Sequence, residues 1–61
     1  MRRGTRIELT TDMESLGHKH QAGDTGTVEE LHIGGHMTAR MDDGRTQFPH
    51  KDEAVELPGS N

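Results

Sequence analysis

Apolar residues along the chain recur at every second position over short stretches, and glycines or polar clusters separate the stretches. This alternation marks half-buried β-strands rather than amphipathic helices. Thr5-Arg6-Ile7-Glu8-Leu9 alternates cleanly and predicts a first strand with Ile7 and Leu9 inward. From Thr10 to Asp24 the only apolar residues are Met13, Leu16 and Ala22, so the pattern predicts one long loop, with a helical turn near Asp12 to Leu16 capped by Thr11 or Asp12. Gly23-Asp24-Thr25-Gly26 is a turn signal leading into Thr27-Val28-Glu29-Glu30-Leu31-His32-Ile33. Val28 shares a face with Leu31 and Ile33 only if one residue is inserted, so a β-bulge is expected at Glu29 and Glu30.

Turn chemistry sets the expected pairing of the later strands. A three-residue Gly34-Gly35-His36 loop would set Ile33 opposite Met37 and Leu31 opposite Ala39, keeping the apolar side chains on one face. Asp43-Gly44 suits a type I′ hairpin, which would set Met41 opposite Thr46 and Ala39 opposite Phe48. Pro49 ends that strand because it has no N–H to donate. His50 to Glu53 is expected to form one helical or 3₁₀ turn, and Ala54-Val55-Glu56-Leu57 a last strand. The predicted core is Ile7, Leu9, Val28, Leu31, Ile33, Met37, Ala39, Met41, Phe48, Val55 and Leu57.

The order strand, long loop, three-stranded meander, tight turn, strand is the layout of a small five-stranded SH3-like barrel. That all-β fold is expected over residues 1–57, with a flexible tail over 58–61. The segments Gly4-Thr5-Arg6-Ile7-Glu8-Leu9, Gly23-Asp24-Thr25-Gly26-Thr27-Val28, Met41-Asp42-Asp43-Gly44 and Phe48-Pro49 resemble small bacterial SH3-like domains. These include KOW-type modules and the barrel subunits that accompany electron-transfer complexes. The resemblance spans residues 4 to 57 and implies a fold more than a function, since such barrels host unrelated roles. The chain departs from nucleic-acid-binding members in having few basic residues in its strands, and from peptide-binding SH3 domains in lacking aromatics.

Composition narrows the function classes. At 61 residues with 26% hydrophobic content, the chain has room for one modest core and a marginal fold. The absence of cysteine removes disulfides and thiol chemistry and fits a reducing cytoplasm. No apolar run exceeds two residues, which leaves nothing to span a bilayer. Met1-Arg2-Arg3-Gly4 has the basic start of a signal peptide without the apolar stretch that should follow. A cytoplasmic location and no membrane contact are therefore expected.

Seven basic residues against 11 acidic give a net charge of −4, which repels polyanions overall. Arg2, Arg3 and Arg6, joined by Arg40 or Arg45, are the residues with which a KOW-like module would engage phosphates. With no tyrosine or tryptophan, there is no stacking platform for bases. Five histidines are many for this length: His18 and His20 share one side of an extended segment, while His32 and His36 flank the glycine loop. Such a set has metal-ligand chemistry, but histidines in polar loops are ordinarily solvated, so neither a metal nor another cofactor is expected. Asp24-Thr25-Gly26-Thr27 matches the short aspartic-protease signature without its apolar flank, and a turn before a strand explains it.

No nucleophile and base stand together in the pattern. The expectation is a small non-catalytic binding or accessory module that contacts a protein partner or a second copy of itself. The alternatives are the KOW-like nucleic-acid module and a histidine-loop metal-binding protein. The expected binding surface comprises Arg2, Arg3, Arg6, His18, His20, His36, Arg40 and Arg45, centred on the loop from Thr10 to Asp24 and on the Gly34–His36 tip.

Overall fold

The computed structural model describes residues 1–58. Over these residues the chain is all-β, with seven strands in two antiparallel sheets: β1 Arg6–Leu9, β2 Met13–Ser15, β3 His18–His20, β4 Thr25–Leu31, β5 Met37–Met41, β6 Thr46–Gln47 and β7 Ala54–Glu56. Five of them form one sheet in the order β6-β5-β4-β1-β7, while β2 and β3 pair as a separate hairpin. Beyond Pro58, the expected tail lies outside the described residues. Among the described residues no helix is long and apolar enough to cross a membrane.

The inner face of the large sheet carries the core. Ile7, Leu9, Val28, Met37, Ala39, Met41 and Ala54 are buried together, and half-buried Met13 of the hairpin packs against them. The expected bulge is present: β4 and β5 pair Val28 with Ala39 and then Glu30 with Thr38, so the register shifts between Val28 and Glu30. Val28 faces inward opposite Ala39 ahead of the bulge, and the extra residue sets Leu31 opposite buried Met37.

Three expectations from the turns are corrected. The segment from Thr10 to Asp24 is not one long loop, and Asp12 to Leu16 is not helical. A two-residue turn at Leu16 and Gly17, both with left-handed φ (54° and 78°), folds β2 onto β3 with Ser15 opposite His18. Leucine rarely adopts that conformation, which hid the hairpin from the pattern.

The β4–β5 connection is the second. Leu31, not Ile33, stands opposite Met37, and Val28, not Leu31, stands opposite Ala39. The connection is therefore five residues, His32 to His36, closed by His32 N–H donating to His36 O at 2.8 Å. Ile33 begins a single 3₁₀ turn over Ile33–Gly35 at its tip.

The β5–β6 turn is the third. Gly44 has φ 90° while Asp43 does not have positive φ, and Gly44 N–H donates to Met41 O at 2.9 Å. This is a type I turn followed by one left-handed glycine, not a type I′ turn. Met41 N–H then donates to Arg45 O at 2.7 Å, Arg40 pairs with Thr46 and Ala39 with Gln47. A slip of one residue reverses every later side chain: Gln47 is fully buried and Phe48 is 43% exposed. Of the expected core, Leu31, Ile33, Phe48 and Val55 are exposed and Leu57 is half-buried. Residues 50–53 do form a turn, with Glu53 N–H donating to His50 O at 2.8 Å.

Candidate functional site

Two places gather side chains that the core does not use. The first is the β4–β5 tip. Consecutive glycines, Gly34 and Gly35, both hold left-handed φ (83° and 85°), a conformation that favours glycine. The tip is tied to the turn before β7: His50 Nε2–H donates to Gly34 O and Lys51 N–H to Gly35 O, each at 2.8 Å. Asp52 N–H donates to His50 Nδ1 at 3.2 Å, which fixes the proton of that ring on Nε2. The His36 and His50 rings meet edge to face with centroids 4.9 Å apart, and His32 Nε2 lies 2.7 Å from Thr38 Oγ1. This bonded frame presents Ile33 with 97% of its surface exposed, beside half-exposed Leu31.

The second place is where β3 meets the β5–β6 turn and β6. His18 and His20 point the same way from β3, as their spacing requires. Arg45 Nη1 lies 2.9 Å from His18 Nδ1, and Asp43 Oδ2 lies 3.0 Å from His20 Nε2. Gln47 Nε2 donates to His18 O at 2.8 Å and to His20 Nδ1 at 2.6 Å. Gln47 Oε1 is buried with no hydrogen-bond partner. His20 is 4% exposed, and its edge lines an open depression of about 400 Å³ over the hairpin. The Asp43 carboxyl sits below the usual carboxylate range, chiefly because Arg45 N–H bonds to it, with His20 adding to the effect against the opposing pull of burial.

The structure brings His18, His20 and Arg45 together and separates them from the remaining expected site residues. Arg6 bonds both oxygens of Asp42 at 2.7 Å and also Thr27 Oγ1 at 3.0 Å. Thr25 Oγ1 donates to the same Asp42 carboxylate. These bonds, those from Arg6 foremost, hold Asp42 far below the usual carboxylate range. Arg40 Nε bonds Glu29 Oε2 at 3.1 Å across the bulge. Arg2 and Arg3 are exposed on the turn before β1, where Thr5 N–H donates to Arg2 O at 3.0 Å. His36 belongs to the β4–β5 tip. Among the described residues, no three His, Cys, Asp or Glu side chains are placed to hold a metal ion.

Sequence reasoning missed Gln47, Asp43 and Ile33 as site residues. The signal for Gln47 was the Asp42-Asp43-Gly44 turn, whose alternative form moves Gln47 inward. Ile33 was misplaced because alternation with Leu31 assigned it to the core face. Comparison of the chain with protein-family models, curated proteins and solved structures gives no match.

Proposed function

We propose that this chain is a small non-catalytic binding module that contacts a protein partner through the β4–β5 tip, with Ile33 as its apolar anchor. The observation that carries the reading is the 97% exposure of Ile33 on a loop held by hydrogen bonds at both of its glycines. A large apolar side chain in water is unfavourable, and one on a pre-ordered loop binds with little further loss of chain entropy. Exposed Leu31 beside it widens the contact, and His32, His36 and Lys51 supply a polar rim of the kind that surrounds binding anchors. Bonding of Arg6 to Asp42 and of Arg40 to Glu29 leaves less free cationic surface for phosphate, which favours a protein over a nucleic acid.

We further propose an SH3-like identity for the scaffold. The strand order β6-β5-β4-β1-β7, with a hairpin arm between β1 and β4 and a tight turn before β7, supports it.

The test places a photo-crosslinking residue at position 33 and, as control, at exposed Val55. Adducts with a protein that form at 33 but not at 55, and that wild-type chain but not Ile33→Asp competes away, support the reading. Adducts of twice the chain's own mass identify the partner as a second copy. Equal adducts at both positions overturn the assignment of the tip. Amide shifts confined to Arg2, Arg3 and neighbouring residues on adding short DNA or RNA, and reversed by salt, replace it with the nucleic-acid module.

A further inference from the structure

The hydrogen bonds around His18 and His20 fix their protonation state. A guanidinium offers only hydrogens, so His18 Nδ1, at 2.9 Å from Arg45 Nη1, accepts. A carbonyl oxygen only accepts, so the Gln47 atom facing His18 O at 2.8 Å is the amide nitrogen. That nitrogen lies 2.6 Å from His20 Nδ1, which therefore accepts too, and His20 carries its proton on Nε2 toward Asp43. Both rings are neutral in this arrangement. An imidazolium has no acceptor to offer either donor.

These contacts are also what fasten the hairpin to the large sheet. Among the described residues β2 pairs only with β3, and the base of the arm is tied to β1 by Leu9 N–H donating to Asp24 O and Gly23 N–H to Leu9 O, each at 2.8 Å. The hydrogen bonds described from the hairpin to β6 and the β5–β6 turn run through His18 and His20. Apart from them, Met13 packs on the core.

We propose that the β2–β3 hairpin is a proton-released flap: neutral His18 and His20 hold it against the β5–β6 turn and β6, and protonation of the two rings frees it. Protonating His18 sets two cations 2.9 Å apart. Protonating His20 sets an N–H against the Gln47 amide hydrogens. Rotating that amide relieves the conflict only by turning Oε1 toward His18 O, two acceptors face to face.

The other charged groups around the rings do not reverse these conflicts. Asp43 attracts a charged His20 through Oδ2, but it is half-exposed, which screens the attraction. Asp24 and Asp42 lie with Asp43 along a second depression, which His20 does not line, and Asp42 is held by Arg6. On the hairpin, Glu14 stands opposite Lys19, so this pair adds little net charge, and Asp12 accepts Ala22 N–H. The two donor conflicts face no acceptor that removes them.

The test is amide hydrogen exchange by NMR on the whole chain at about pH 7.5 and about pH 5. After correction for intrinsic exchange rates, protection of the Met13 and His20 amides should fall by roughly tenfold, the scale of one hydrogen bond to a charged group. Protection at Val28 and Ala39 should hold, while contacts of the Met13 methyl with the core weaken. His18→Gln keeps an acceptor for Arg45 but cannot be protonated, so its hairpin should respond less than wild type. Hairpin protection that is equal at both pH values, or that falls in step with Val28 and Ala39, overturns the flap. So does a His18→Gln chain with the full wild-type response.

Discussion

The Arg6 guanidinium bonds both carboxylate oxygens of Asp42 at 2.7 Å, joining β1 to the head of the β5–β6 turn across the intervening strand. Asp42 also accepts from Thr25 of that strand. One carboxylate thus links three neighbouring strands on the outer face of the sheet.

That linkage makes stability depend on acid in a defined direction. Bonding to Arg6, then to Thr25, lowers the Asp42 pKa in the folded chain. Its contribution is complete above the ordinary aspartate value of about 3.9 and is lost as pH falls toward the lowered folded value. Asp42→Asn should lower the urea midpoint at neutral pH, and the gap to wild type should close progressively below about pH 4. Parallel midpoint-against-pH curves for the two chains would assign the acid limb to other carboxylates.

Much of the fold was legible because a few positions left one solution. Ile7 and Leu9 alternate between polar residues, and Val28 can be in phase with Leu31 only if one residue is inserted at the two glutamates. The Asp42-Asp43-Gly44 turn was legible in place but not in type. The same residues suit a type I′ turn or a type I turn with one left-handed glycine, and the choice moves the register by one. The pattern favoured burying Phe48, whereas the structure buries Gln47, whose amide bonds His18 and His20 on a strand the pattern did not reveal. His18-Lys19-His20 has no apolar residue, so its strand is set by tertiary bonds and not by periodicity. Ile33 looked like core because alternation does not show where a strand ends.

Gly26 is the position where the sheet tolerates no side chain. It stands between Ile7 of β1 and Met41 of β5. A Cβ there would lie 2.7 Å from Arg40 O, 2.8 Å from Met41 Sδ and 3.0 Å from Met41 Cα. Two of these atoms are backbone and cannot swing aside. Gly26→Ala should cost about 3 kcal/mol, a large part of the stability of so small a domain. Gly23→Ala is the control: its Cβ would meet nothing within 4 Å, and only its φ of +98° is strained. That strain costs about 1–2 kcal/mol. Urea unfolding of both variants checks the order, and equal losses would mean that β4 and β5 separate to admit the methyl.

Leu16 carries a cost that a different residue would remove. It holds φ 54° at the first position of the β2–β3 turn and is 73% exposed, so its side chain adds little packing. Asparagine tolerates this conformation and precedes glycine in the preferred turn of this type. Leu16→Asn should stabilise the hairpin by about 1 kcal/mol. If the hairpin unfolds with the rest of the chain, the melting temperature rises by about 4–8 °C. If hairpin amides gain protection while the melting temperature stays fixed, the hairpin opens independently of the main sheet.

Gln47 is the residue on which the hairpin attachment converges. It is fully buried, and its Nε2 donates to His18 O and His20 Nδ1 while Oε1 has no partner. Gln47→Leu fills much the same volume and removes the orphaned oxygen, which favours the variant. It also leaves a carbonyl and a buried ring nitrogen without a donor, which opposes it. Two abandoned acceptors outweigh one relieved oxygen, so a loss of about 1–3 kcal/mol is expected. Gln47→Glu should lose more at neutral pH, because it sets a buried negative charge against the same two acceptors. It should recover part of that loss in acid, where protonation of the introduced carboxylate, or of His20, restores a donor between the partners. Urea midpoints of both variants at neutral and acid pH separate these effects. If Gln47→Leu is neutral or stabilising, Met13 packing alone holds the hairpin and the network adds nothing to folding.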